Sequence, residues 1–472
     1  MTTESNSTRR SSLWRWPFKG RTTVRLLIVI AGSLALLVWY RIASTPDAGE
    51  PFDVGSFVSF PIPDDQNAFT YYRQAKGRLV EESTFVPDEK TWAAFRKSYE
   101  ETIDGGWSKA NEQLRSWLSA NQPALEVWKR GTESADAREN LPGEADLNTL
   151  SAVSQSLRDF ARLVLTQAAQ ISAEKSPATA WTWYRALLRS SRHVGRHSEF
   201  VGRLIGVAIH GMTVEPVLRW SSCPELTAAD LRHALADVLT IDEMTAPPSD
   251  NLKAEYLFSC QTVKANAVGW SGLPLRLMGY PERVQYALKL VYANWLSQID
   301  RPRFRRLLAT GRQWELFEPD PATPPNPKLL SPAEIEDRCG LAQGTTQAAM
   351  ISLLMPSVRA FIDALDRERT RQAALVLGLV LELYHREHGH FPAALDDLVK
   401  AGYLNSIPAD PFGKGEPFRY RLETDPKQGA TLWSVWTDGI DQNGKIEVDP
   451  QREIGAGDKI LRIATPNLDK AR

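Results

Sequence analysis

The chain has 472 residues, 24% of them charged and 43% hydrophobic. That is length for about two or three domains, and too apolar a composition for a chain disordered throughout. With 56 basic against 57 acidic residues, the net charge of -1 gives no overall attraction to nucleic acid. Three cysteines, Cys223, Cys260 and Cys339, form neither a disulfide framework nor a zinc-binding spacing. They read as small buried residues, with a Cys223–Cys260 pair the oxidised alternative.

Residues 1–22 form a basic tail carrying Arg9, Arg10, Arg15, Lys19 and Arg21 against Glu4. Residues 23–43 read as a transmembrane anchor. From Val24 to Tyr40 the sequence is VRLLIVIAGSLALLVWY, apolar or small after Arg25 until it meets Trp39 and Tyr40. A bilayer needs roughly 20 apolar helical residues, with about 17 the lower bound. Arg25 can snorkel to the headgroups, while Trp39 and Tyr40, like Trp14 and Trp16 on the near side, suit the interface. Basic residues precede the span, and Asp47, Glu50 and Asp53 follow it. The positive-inside rule then predicts a cytoplasmic N-terminus and an exported bulk in a bacterial inner membrane. A cleaved signal is disfavoured, because Trp39, Tyr40 and Arg41 crowd the position where a peptidase needs small residues.

Residues 44–63 carry Pro46, Pro51, Pro61 and Pro63 and predict an extended tether. Asp64 or Asp65 is the expected cap of the first helix beyond it. From 64 to 318 apolar residues recur at helical spacing: Trp92, Phe95 and Tyr99; Leu114, Trp117 and Leu118; Leu157, Phe160 and Ala161; Trp181, Tyr184 and Leu188; Leu204, Ile205 and Ala208. This predicts a domain of antiparallel helical hairpins. Ala178–Leu188 loosely resembles tetratricopeptide-like helix pairs, without a clean period. The 15 tryptophans read as packing anchors. His193 and His197 lie four apart, but Arg192 and Arg196 beside them oppose a cation. The basic run Arg301, Arg303, Arg305, Arg306 and Arg312 reads as a solvated face, with anionic lipid or an acidic partner as the sharper alternative.

The Pro-rich stretch 319–330 predicts a linker. Ser331, Pro332 and Glu334 form a capping-box start, and Ser357 to His388 predicts one long helix whose second half is apolar on most sides. Something must wrap that half, and the segment that follows is the expected wrapping. Gly389 should end the helix and Pro392 prevent its continuation. Asp410 to Gly413 reads as a turn in which Gly413 supplies positive φ. Phe418, Tyr420 and Leu422 alternate, as do Leu432, Ser434 and Trp436, and Ile460–Ile463 suggests a further strand.

Residues 365–465 resemble the globular part of the major pseudopilins of type II secretion. The shared residues are Gly389, Phe391, Pro392, Leu395, Leu398, Ile407, Pro408, Asp410, Pro411, Phe412, Gly413, Pro417, Phe418, Tyr420, Trp433, Ser434, Asp438 and Gly439. The resemblance covers about a fifth of the chain. It implies a pilin-like α+β module within 331–472, a long helix packed on a small antiparallel sheet. It also implies calcium in the loop after Gly439, with Asp438, Asp441 and Asn443 as ligands and Glu447 and Asp449 following. The chain departs from the family at the membrane helix. Gly20 is followed by Arg21, and Arg25 stands where prepilin processing needs Glu; the module also lies far from the span. It should therefore not polymerise as a pilin.

The expected fold is mainly α: an N-terminal transmembrane helix, an α-helical hairpin domain and a C-terminal α+β module. No GxSxG, HExxH, P-loop or dinucleotide fingerprint occurs. The expected function is a non-enzymatic envelope scaffold or binding protein, with the bilayer and an envelope protein as partners, linked to a secretion or pilus-like apparatus. The alternative is an extracytoplasmic hydrolase of polysaccharide or peptide using paired carboxylates.

Overall fold

The computed structural model describes residues 20–43, 46–59, 62–140, 152–268, 273, 280–312, 314–321, 329–339, 355–423, 429–444 and 459–463. Most of the basic tail, residues 322–328 of the Pro-rich stretch, Trp14, Trp16, Glu447 and Asp449 lie outside these. The architecture is mainly helical with one small antiparallel sheet.

Helix α1 (Gly20–Ala43) precedes a short α2 (Val54–Val58). Then come α3 (Ala68–Lys76), α4 (Glu89–Gly105), α5 (Glu112–Ala120), α6 (Gln122–Thr132), α7 (Ala152–Glu174), α8 (Pro177–Gly195), α9 (Phe200–Ser221), α10 (Ala228–Glu243), α11 (Pro248–Asn266) and α12 (Tyr280–Leu296). The first cap differs from expectation. Asn67, not Asp64 or Asp65, accepts from the Phe69 amide, and its side-chain amide donates to the Arg138 carbonyl. A residue that must also tie down a distant strand of chain needs a donor, which a carboxylate lacks. α9 is long and apolar enough to cross a membrane, but 61% of its apolar window is buried in protein, as befits a core helix.

The short α13 (Pro332–Arg338) opens with a complete capping box between Ser331 and Glu334. The long helix α14 runs from Val358 to His388, capped by Ser357 and stopped by Gly389 at φ 76°. At 1.5 Å per residue it spans about 46 Å. After α15 (Asp396–Lys400), strands β1 (Arg419–Leu422), β2 (Ala430–Ser434) and β3 (Lys459–Ile463) form an antiparallel sheet in the order β1-β2-β3. β2 is central and buried along its whole length, with Trp433 opposite Arg419 on one side and Ile460 on the other.

What wraps α14 differs from the sequence expectation. Most of its contacts are to α9 and α10, with the sheet adding a smaller share. Its first part, Val358, Phe361, Ile362 and Leu365, enters a core with α11 and α12 residues such as Leu252, Tyr256, Val291 and Trp295. Its second part, Leu375 to Leu383, enters another core built on α3 to α10 and completed by Phe391, Leu398, Phe418 and Leu432. One helix thus serves two apolar cores. Hydrophobic periodicity marks the buried face but does not say which helix covers it.

Tryptophans anchor both cores. Trp117, Trp128 and Trp295 are fully buried, and Trp181 stacks on Trp220 at 4.9 Å. The three cysteines are free, so Cys223 and Cys260 do not pair. In the turn after α15, Gly413 does not carry the positive φ expected of it; Lys414 (55°) and Gly415 (93°) do. Gly413 instead leaves room for Asp410, whose Cβ would lie 3.1 Å from an added one. Asp410 is buried and accepts from the Phe412 amide, the Ser434 hydroxyl and the Val435 amide, pinning the turn to β2.

Candidate functional site

Between its two apolar sections α14 carries a belt of buried polar residues: Asp366, Glu368, Thr370 and Gln372. A buried carboxylate is tolerated only when it is paired and hydrogen-bonded. Glu368 meets Arg192 of α8 at 2.6 Å through Oε1, and Arg203 of α9 grips both its oxygens. All three side chains are almost fully buried. Burial alone would raise the Glu368 carboxyl, but the Arg203 and Arg192 guanidiniums outweigh it and hold the group well below its usual range. Arg192 also donates to Asp242 of α10 at 3.2 Å and to Gln372 Oε1 at 3.1 Å. His210 of α9 lies 2.9 Å from the same Gln372 oxygen, which fixes Nε2 of the imidazole as the donor. Burial, with Arg192 next, pushes the His210 pKa down to about 3, so the ring is neutral.

Two residues earlier Asp366 is matched by Arg303 at 3.2 Å, by Arg306 and by Arg369 at 3.4 Å. Arg303 also holds Asp363, Arg301 holds Asp320 at 2.7 Å, and Arg312 holds Glu336 at 3.4 Å. Much of the basic run is therefore paired with the protein's own acids, while Arg305 stays exposed over the Phe304 ring. The periodicity of α14 could have flagged Glu368 and Gln372, four residues apart and flanked by apolar positions. Their arginine partners lie 165 to 180 residues away in the chain, beyond any local pattern.

The belt opens into a cleft of about 410 Å³, within the range of small-ligand sites. Arg192, Asp242, Glu368, Arg369 and Gln372 form its polar side. Leu239 and Val376, with Leu404 and Pro408 from the segment after α15, form its apolar side. The helical region and the C-terminal module thus build it jointly.

A second cleft of about 580 Å³ contains Glu82, Asp159, Trp92 and Trp117. Both carboxylates bond one nitrogen of Arg162, at 2.9 and 3.1 Å, and so lie no more than about 6 Å apart. Burial raises the pKa of both, partly offset by Arg162. Trp117 offers no ring face, being fully buried with its indole N–H donated to the Val80 carbonyl. A third cleft of about 460 Å³ lies between Arg303, Phe304 and Arg306 and the Phe412, Trp436 and Asp438 turns.

The expected calcium residues lie together in the loop that edges this third cleft, but their oxygens are engaged. Asp438 accepts from the Ile440 amide and Gln442 Nε2. Asp441 accepts from Trp433 Nε1, the Asn443 amide and Arg419 at 3.3 Å. Asn443 stands at φ 58° with its carbonyl taken by Arg421. Among the described residues no group of three His, Cys, Asp or Glu side chains gathers to hold a metal. His193 and His197 do not converge either. α8 ends at Gly195; His193 Nδ1 meets Tyr72 Oη at 2.9 Å, and His197 Nε2 faces Asp136 at 3.4 Å.

Glu382, farther along α14, is 2% exposed and its Oε2 has no hydrogen-bond partner. Burial pushes its pKa up to about 7 against the opposing pull of Arg386. The folded state then holds a proton that the unfolded chain has released above its ordinary pKa of 4.5. Its contribution is full below pH ~4.5 and is lost as pH rises through about 7. Glu382→Gln should therefore flatten the decline in stability over that window and raise stability at pH 8 by about 2 kcal/mol. Urea unfolding at pH 5 and pH 8 checks this, and an unchanged pH slope would refute it.

No family model, curated protein or solved structure matches the chain.

Proposed function

We propose that this chain is a membrane-anchored, extracytoplasmic binding or scaffold protein, held in a bacterial inner membrane by α1 with its bulk outside the cytoplasm. The supporting observation is the apolar surface of α1. Val24, Leu26, Leu27, Ile28, Val29, Ile30, Leu36, Trp39 and Tyr40 stand 52% to 69% exposed, whereas apolar side chains of the other long helices are largely buried. An apolar helix exposed on all faces in water is unfavourable by roughly 25 cal/mol per Å² and marks a membrane or partner contact. Its 24 residues span about 36 Å, enough for a hydrocarbon core of about 30 Å.

The pseudopilin-like residue pattern of the C-terminal module supports docking to an envelope protein of a secretion or pilus-like apparatus. The welding of α14 into the helical region supports a rigid scaffold. Calcium at Asp438, Asp441 and Asn443 would require Asp441 to leave Arg419; a calcium titration monitored by thermal unfolding tests it, and no shift in Tm removes that ion from the proposal.

A hydrolase is the second reading, favoured by the Glu82–Asp159 pair, whose spacing suits a retaining glycosidase. Against it, the Arg162 guanidinium sits between the carboxylates where a sugar carbon would react. Pull-down of the full-length protein from gently solubilised membranes separates the two. A stoichiometric envelope partner supports the scaffold. Glycan or peptide hydrolysis abolished by Glu82→Gln with no partner recovered would replace it.

A further inference from the structure

The cleft beside the belt has an imbalance between donors and acceptors. Gln372 is 8% exposed, and its carbonyl oxygen is occupied by Arg192 and His210. That fixes which end of the amide is which, and leaves Nε2 with no acceptor from the protein. Arg192, 3% exposed, likewise has its two terminal nitrogens bonded and its Nε unpartnered. Both residues line the cleft, and Arg369, 40% exposed at its rim, adds a guanidinium held only by a long contact to Asp366. The buried acceptor is already used, since Glu368 is filled by two arginines, and Asp242 takes Arg192 and Thr245 on its Oδ1. Unpaired buried donors cost about 1–3 kcal/mol each unless something supplies acceptors.

We infer that this cleft binds a carboxylate. Its two oxygens would accept from the Arg369 guanidinium at the rim and, with an outward shift of the buried Gln372 amide, from Nε2, while an apolar group would pack on Leu239, Val376, Leu404 and Pro408. Charge agrees. Arg369 at the rim has only the 3.4 Å contact to Asp366, an acid that Arg303 and Arg306 already serve, so its guanidinium can turn to a ligand anion. The carboxylate could belong to a small acylated amino acid or to the free C-terminus of a peptide. This inference rests on the binding-protein reading.

The test is calorimetry on the full-length protein in detergent. The probes are N-acetyl-leucine, N-acetyl-leucinamide, and a leucine-ended hexapeptide with a free or an amidated terminus. The acids should bind at millimolar Kd or tighter and the amides at least about tenfold more weakly. Tighter binding of the free-ended peptide assigns a peptide terminus; equal binding assigns the small acid. Gln372→Glu, which keeps the shape and replaces the donor, should lose binding about tenfold or more. Arg369→Ala, at the rim, carries the same test if the buried variant does not fold. Equal binding of acid and amide, no binding of any acid at millimolar concentration, or unaltered affinity in both variants overturns the inference. Cleavage of the hexapeptide would instead overturn the binding-protein reading while leaving carboxylate recognition standing.

Discussion

Glu368→Gln should destabilise the protein by about 3–5 kcal/mol, the usual cost of removing one partner from a buried ion pair. Gln keeps the volume and one acceptor oxygen, but turns an NH2 group toward guanidinium donors. Arg192 would retain Asp242 and Gln372. Arg203, 3% exposed, has its terminal nitrogens bonded to Glu368, so it would become an unpaired buried cation. Typical domains have only about 5–15 kcal/mol to lose. The loss should therefore be plain in urea unfolding of the solubilised protein. The pH dependence has a defined sign. The arginines depress the folded pKa of Glu368, so its contribution is present above its ordinary pKa and disappears as pH falls through the lowered one. The double variant Glu368→Leu with Arg203→Met should lose less than the two single losses combined, since an apolar pair leaves no stranded charge there. A Glu368→Gln loss below about 1 kcal/mol would mean that the belt is not under the electrostatic demand described.

Gly206→Ala should destabilise by about 3 kcal/mol, against the ordinary trend. Within a helix, alanine normally gains about 1 kcal/mol over glycine. At Gly206 an added Cβ would lie 2.5 Å from the Ser191 carbonyl oxygen and 3.3 Å from the Gly195 amide nitrogen. Those are backbone atoms of α8, so no side chain can swing aside. α8 and α9 must separate, and overpacking of this kind costs about 1–3 kcal/mol, occasionally more. The separation would also pull Arg192 from Arg203, whose grip on Glu368 depends on this close approach. Thermal unfolding of the variant decides the sign, and a raised Tm would refute the close contact.

Much of the secondary structure was legible because its signals are local. Ser331 and Glu334 announce a helix start, Ser357 caps the long helix, and Gly389 ends it in the left-handed conformation. Helical spacing of apolar residues marks the amphipathic segments, and alternation marks β1. The cores were less legible. The apolar second half of α14 demands cover, but nothing in its neighbourhood shows that α9 and α10, more than a hundred residues earlier, supply it. The cleft was not legible at all. Charged residues on an apolar helix face look like interruptions of a pattern. Their meaning depends on Arg192, Arg203 and Arg306 arriving from elsewhere in the fold. The arginine run was readable as charge, but not as charge already matched by Asp363 and Asp366. At Asn67 the cap was displaced by a tertiary demand, a donor for Arg138, that no capping rule contains.

We propose that α1 holds an exported body at the bilayer. The direct measurement is alkaline carbonate extraction of membranes, paired with protease added to intact spheroplasts. The full-length protein should stay in the membrane pellet, and external protease should reach its body. Release of the intact chain into the carbonate supernatant, or a body protected until the spheroplasts are lysed, would contradict the account.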